Sequence, residues 1–241
     1  MRDAANHHSF LSASVQAGLL LAAVGIAGCA GPLSALDPSG RSAKSIAGLW
    51  WVMLAGAAVL FAMVLILFCM VIWRPGWGSR VSPMRWIVLG GLVLPAVILI
   101  PLIGYALLAG ERLLPLPAQA PVRIEAIAQQ WRWTFRYPDQ GGLEMENVLH
   151  MPAGVPVDIV VTSKDVVHAF WIPRLAGKID AVPGHETRLR IQADQPGQYA
   201  GQCNQFCGIG HAEMHFAVVV DRPEDFSAAV KSAATAGEVK K

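Results

Sequence analysis

The chain has 241 residues, 54% of them hydrophobic and 15% charged, with a formal net charge of +2. A mean hydropathy of +0.44 is too apolar for an ordinary soluble domain and calls for membrane spans plus one folded domain. So small a charge gives no case for nucleic acid, and the sequence holds no glycine-rich phosphate loop, no Ser-His-Asp arrangement and no Cys-x-x-Cys-His haem attachment.

The chain starts with a polar stretch containing Arg2, followed by the apolar run Val15 to Ala27. That run is too short to span a bilayer comfortably and suits the core of an export signal. It ends in Ile26-Ala27-Gly28-Cys29, similar to a bacterial lipoprotein cleavage box. Residues 1–28 are therefore expected to be a removable signal, with Cys29 as the lipidated mature N-terminus. The alternative is an uncleaved anchor with a chance cysteine. Residues 29–48 follow as an exported N-terminal segment.

Residues 49–110 read as a two-helix transmembrane hairpin. Leu49 to Trp73 carries no charge, and 25 residues make about 37 Å of helix. Ile87 to Leu108 is the second span, with Pro95 and Pro101 inside it, as membrane helices tolerate. Trp50, Trp51, Trp73 and Trp86 sit at span ends, where interface aromatics belong. The connection holds Arg74, Arg80 and Arg85 and no acid, which puts it in the cytoplasm. The remainder then faces outward, in agreement with the signal. The expected location is a bacterial inner membrane, with the C-terminal domain on the periplasmic side.

Residues 111–121 form a stiff proline-rich linker. Beyond it the period changes. Trp131, Trp133, Phe135 and Tyr137 alternate with Arg132, Thr134 and Arg136, as a strand with one apolar face would. Val155 to Thr162, Thr187 to Ala193 and His215 to Val220 also read as strands. Turn signals fall at Pro138 to Gly142, Pro183-Gly184 and Gln195-Pro196-Gly197. The fold class expected for 122–221 is all-β, a sandwich or barrel. The tail, 222–241, is Ala- and Lys-rich and reads as a short helix with an unstructured end.

The chemistry gathers at Cys203, Gln205, Cys207, His211 and Met214, within twelve residues, with His168 upstream. Two thiols, an imidazole and a thioether are soft donors that suit redox copper. A Cys203–Cys207 disulfide would suit an exported domain but leaves His211 and Met214 unexplained. Structural zinc has little use for a methionine. Cys29 and Cys69 are too distant to join the group.

The spacing Cys-x-x-x-Cys-x-x-x-His-x-x-Met, with His168 in Asp165-Val166-Val167-His168, resembles the dinuclear copper (CuA) loop of subunit II of haem–copper oxidases. The resemblance extends through Gly177 to Gly184, Pro196 to Tyr199 and Gln130-Trp131-Arg132-Trp133, and with the two spans covers most of residues 29–220. It implies a cupredoxin-like Greek-key β-barrel behind the membrane hairpin. It implies two copper ions bridged by Cys203 and Cys207, with His168 and His211 binding one each. Met214 and the backbone carbonyl of Gln205 would be weak ligands. Gly208 and Gly210 would let the loop turn sharply. Trp131 would be the point of electron uptake, whereas Trp133 reads equally well as core packing. Glu146 and Asp165 would guide docking of a cytochrome c, with Lys164 weakening that acidic patch. The other partners implied are subunit I, subunit III and the lipid membrane, and no haem is bound by this chain.

Two departures stand out. Gln205 occupies a position where relatives carry a Glu that reaches magnesium, so that site is expected to be absent or weak. Ser82 to Trp86 lacks the acid that relatives place at the start of the second helix. His7 and His8 belong to the signal, His150 and His185 read as surface or structural, and His215 should point away from Met214. The resemblance implies the electron-accepting subunit of a cytochrome c oxidase that reduces oxygen to water. The alternatives are a quinol-oxidase subunit II with a structural role, a membrane-anchored copper electron carrier, and a binding lipoprotein closed by a disulfide.

Overall fold

The computed structural model describes residues 29–111 and 122–238. The expected signal (1–28) and nearly all of the proline-rich linker lie outside the described residues.

Two long helices come first. α1 spans Arg41–Trp73, so it starts eight residues before the apolar run. Arg41 and Lys44 end the hydrophobic stretch but not the helix, because Arg and Lys are good helix formers. α2 spans Pro83–Glu111. It contains a widened π segment at Ile87–Val93 that closes two residues before Pro95. A wide turn there relieves the clash between the proline ring and the carbonyl four residues back. Both helices are long and apolar enough to cross a membrane, and side chains such as Phe61, Phe68, Leu92 and Ile100 point outward unburied. They anchor the domain in a bilayer.

The rest is a sandwich of two five-stranded sheets. The strands are β1 (Val122–Gln129), β2 (Arg132–Tyr137), β3 (Leu143–Glu146), β4 (Val148–Pro152), β5 (Val157–Ser163), β6 (His168–Trp171), β7 (Ile179–Ala181), β8 (Thr187–Ile191), β9 (Gly197–Cys203) and β10 (His215–Asp221). One sheet runs β3-β2-β1-β5-β8 and the other β4-β10-β9-β6-β7. β1 pairs parallel with β5, and β4 parallel with β10; the other pairings are antiparallel. The chain passes repeatedly between sheets, as a cupredoxin-like Greek key requires. Asn147 makes one such crossing in a left-handed conformation (φ 55°) that Asn tolerates, and its side-chain oxygen accepts the Trp133 N–H at 2.8 Å.

The core is aromatic at its centre. Trp133, Phe135, Phe170 and Phe216 are buried, with ring centroids 5.1–6.4 Å apart. Among the described residues the Trp133 indole N–H has no hydrogen-bond partner, a cost set against its large apolar burial. The alternating pattern expected for 131–137 holds from Trp133 onward but fails at Trp131. That residue leaves the strand for the β1–β2 turn and is 41% exposed. The tail holds a helix packed against the sandwich. Helix α3 (Phe226–Glu238) buries Phe226, Val230 and Ala234 at helical spacing, with Phe226 beside Tyr137.

Candidate metal centre

One end of the sandwich collects the donor residues. The register that pairs Phe170 with Cys203 sets His168, the first residue of β6, near the last residue of β9. The loop from β9 to β10 then brings back Cys207, His211 and Met214. Met214 N–H donates to His211 O, and Cys203 N–H donates to Met214 O at 3.0 Å, so the loop closes on itself.

The donor atoms stand close together. His168 Nδ1 lies 3.8 Å from Cys203 Sγ, which is 3.9 Å from Cys207 Sγ. His211 Nδ1 is 3.5 Å and Met214 Sδ 3.8 Å from Cys207 Sγ. The Gln205 carbonyl oxygen is 3.3 Å from Cys203 Sγ, while its side chain is exposed. A disulfide needs about 2.05 Å, so these are two separate thiols. His168, Cys203 and Cys207 alone form a buried group able to hold a metal ion. Burial first, and the neighbouring Cys203 second, push the Cys207 thiol up. Two buried thiolates so close are unfavourable without a cation between them. The donors thus fit a soft, positively charged metal, and the buried thioether favours copper over zinc.

Asp165 is more engaged than a docking carboxylate would be. It accepts hydrogen bonds from the His168 ring Nε2 (2.8 Å), Val166 N–H (2.7 Å) and Gln130 N–H (2.7 Å). Burial alone would raise its pKa, but these bonds outweigh it and hold the carboxyl at about 2. The bond also fixes which nitrogen is free: Nε2 carries the proton, so Nδ1 faces the sulfur. Glu146, by contrast, is exposed and 3.9 Å from Arg132. His215 points outward while Met214 is buried. His185 is exposed, and His150 is nearly buried, 2.8 Å from Asp221 and far from the donors in the sheet.

Trp131 sits directly on the ligand loop. Its indole N–H lies 3.3 Å from the Cys207 carbonyl, which also accepts from the Gln130 amide at 2.8 Å. Gly208 adopts φ 117° and needs to be glycine for that reason. Gly210 has no such strain; a Cβ there would meet the Trp131 ring at 2.5 Å. The Gln130 contact left no mark in the sequence beyond its place beside Trp131. The Asp165–His168 contact could have been found from their three-residue spacing.

The family described as "Cytochrome C oxidase subunit II, periplasmic domain" matches residues 140–221. The cytochrome c oxidase subunit 2 of Alkalihalophilus pseudofirmus is 30% identical over 86% of this chain and 64% of its own length. The quinol oxidase subunit 2 of Bacillus cereus is 30% identical over 86% of this chain and 75% of its own. The chain belongs to the subunit II family of haem–copper oxidases. This subunit II spans just under two thirds of the Alkalihalophilus relative. A solved structure, the periplasmic domain of subunit II of cytochrome oxidase from Bradyrhizobium japonicum, is 31% identical over 51% of this chain and 99% of that one, with a TM-score of 0.48.

Proposed function

We propose that this chain is the electron-accepting subunit of a terminal oxidase that takes electrons from a cytochrome c and delivers them to haem in subunit I. The observation that carries the reading is the full soft donor set around a buried thiol pair. Cys203 and Cys207 would hold two copper ions between them, with His168 and His211 as end ligands and Met214 and the Gln205 carbonyl as weak ones. When bound, two coppers sharing one electron supply a one-electron centre of low reorganisation. The chain's own work is to hold the donors still, exclude water with the aromatic core, and present Trp131 to a docked donor. The bond from the Trp131 indole to the Cys207 carbonyl gives a short path from surface to sulfur. Gln205 provides no carboxylate for magnesium, so that ion is absent or weakly held. Cys29 is the proposed lipid attachment point, the barrel is periplasmic, and subunit III completes the complex.

The rival is a quinol-oxidase subunit II with a structural role, which the Bacillus cereus relative favours by its name. Such a role does not need the donor set. Copper analysis of the purified full chain separates the two. Two coppers per chain with a mixed-valence EPR signal, both lost in Cys207→Ser, support the proposal. A chain that takes up no copper, or a single zinc, overturns it.

A further inference from the structure

The segment before α1 is stitched to the sandwich. Ser39 N–H donates to Arg174 O (2.7 Å), Asp194 N–H to Ser39 O (3.0 Å), and Arg41 and Ala43 N–H to Gln192 O and Leu175 O (both 3.3 Å). Gly40 pairs with Ala193 as a β-bridge and is buried. The approach is so close that a Cβ on Gly40 would lie 2.4 Å from the Leu175 carbonyl oxygen, which is backbone and cannot step aside. Arg174 gathers the segment: Nε donates to Asp37 O (2.9 Å), a second nitrogen to Ser39 Oγ (2.8 Å) and the Asp37 carboxylate (2.8 Å), and the guanidinium stacks over Tyr199. Lys44 pairs with Asp194 further out. Ala43 and Ala47, on the first turns of α1, are buried, and Leu175, Ala176 and Ala193 belong to the barrel core.

The junction's place in the fold gives it leverage. It joins the loops that follow β6 and β8, at the end of the sandwich away from the metal centre. β5 runs between the two ends, and seven residues at about 3.3 Å each separate them by roughly 20 Å. A tilt of about 5° at the junction would carry the donor residues roughly 2 Å sideways over that arm. Displacements of that order cost reaction rates tenfold or more. The peptide link to α2, through residues 112–121, is proline-rich and single. The network therefore supplies a second, independent attachment.

We propose that this junction, with Arg174 and Gly40 as positioning residues, locks α1 and the barrel into one rigid body and so fixes the donor end relative to the membrane and subunit I. The rigidity stands on geometry alone; its effect on electron delivery rests on the proposed copper function.

The test uses Arg174→Ala and, separately, Gly40→Val in the full chain within the assembled oxidase. Hydrogen exchange needs no metal and reads the junction itself. Exchange at residues 39–43 and 194 should rise about tenfold or more, while β1 and β5 stay protected and report an intact barrel. Flash-induced electron delivery from the chain to the haem of subunit I should slow about tenfold, with the copper signal unchanged. Unchanged exchange in both variants overturns the proposal. So does raised exchange with unchanged delivery, since the junction would then not set the path. If the unaltered chain held no copper, the proposed function would fall, and the exchange arm would still decide whether the junction is rigid.

Discussion

The seat of Trp131 offers a sharp test, because one methyl group should disturb electron uptake without touching a donor. In Gly210→Ala the new Cβ would begin 2.5 Å from Cδ2 of Trp131 and 2.8 Å from Cε3 and Cγ. Ordinary contact starts near 3.5 Å, so the ring must withdraw by about 1 Å. The backbone is indifferent, since Gly210 shows no positive φ. Overpacking costs about 1–3 kcal/mol in closed cores. Trp131 is 41% exposed and can swing outward, so the lower end, about 1 kcal/mol, applies here. That movement stretches the indole contact to the Cys207 carbonyl, now 3.3 Å, beyond hydrogen-bond range. The expected result is electron uptake slowed about tenfold at saturating donor, with unchanged copper content and EPR signal. Stopped-flow reduction by a basic cytochrome c measures the first, and indole fluorescence reports the displaced ring. Unchanged uptake with a demonstrably shifted indole would refute the path through Trp131.

Other expectations follow from the same geometry. Met214→Leu should keep two coppers but shift their reduction potential, measured by redox titration, because a weak thioether ligand tunes the metal and does not hold it. Asp165 is held at about 2 against an ordinary 3.8, so its contribution is complete above about pH 4 and lost as pH falls through 2. Denaturant titration of the metal-free chain across that window should show Asp165→Asn lacking roughly 1–2 kcal/mol of acid-sensitive stability. Manganese offered to the assembled complex should give no stoichiometric, tightly held EPR signal, since Gln205 is an amide; a tight one would return magnesium to the site. From Leu113 to Lys241, 12 Lys and Arg face 14 Asp and Glu, a net of −2. Association with a basic cytochrome c should therefore weaken as added salt brings the Debye length to about 10 Å, and in Glu146→Gln; indifference to both would point to an apolar docking mode.

The sequence alone determined what is written in local patterns. Charge-free runs marked α1 and α2, because a bilayer selects on length and apolarity. Soft donors spaced along one loop marked the candidate metal centre, because ligand chemistry is carried by residue type. Strand periods marked β2, β5, β8 and β10. Short strands such as β3, β6 and β7, with three or four residues each, carry too few alternations to be legible.

Tertiary structure decided the rest. Period-two alternation put Trp131 on the apolar face with Trp133, yet the β1–β2 turn begins there and sets its indole on the ligand loop, in contact with residues about 76 positions away. Asp165 read as a surface charge until the fold laid Gln130 and the His168 ring against its carboxylate. The tail became a packed helix because the edge of β3 and β4 was there to receive Phe226. The segment ahead of α1 gained its partners only when the loops after β6 and β8 met it, 135 to 155 residues downstream. Each of these outcomes depends on sheet register and on closure of long loops. No window of neighbouring residues encodes either, which is why composition and period could name the donors but not the contacts that hold them in place.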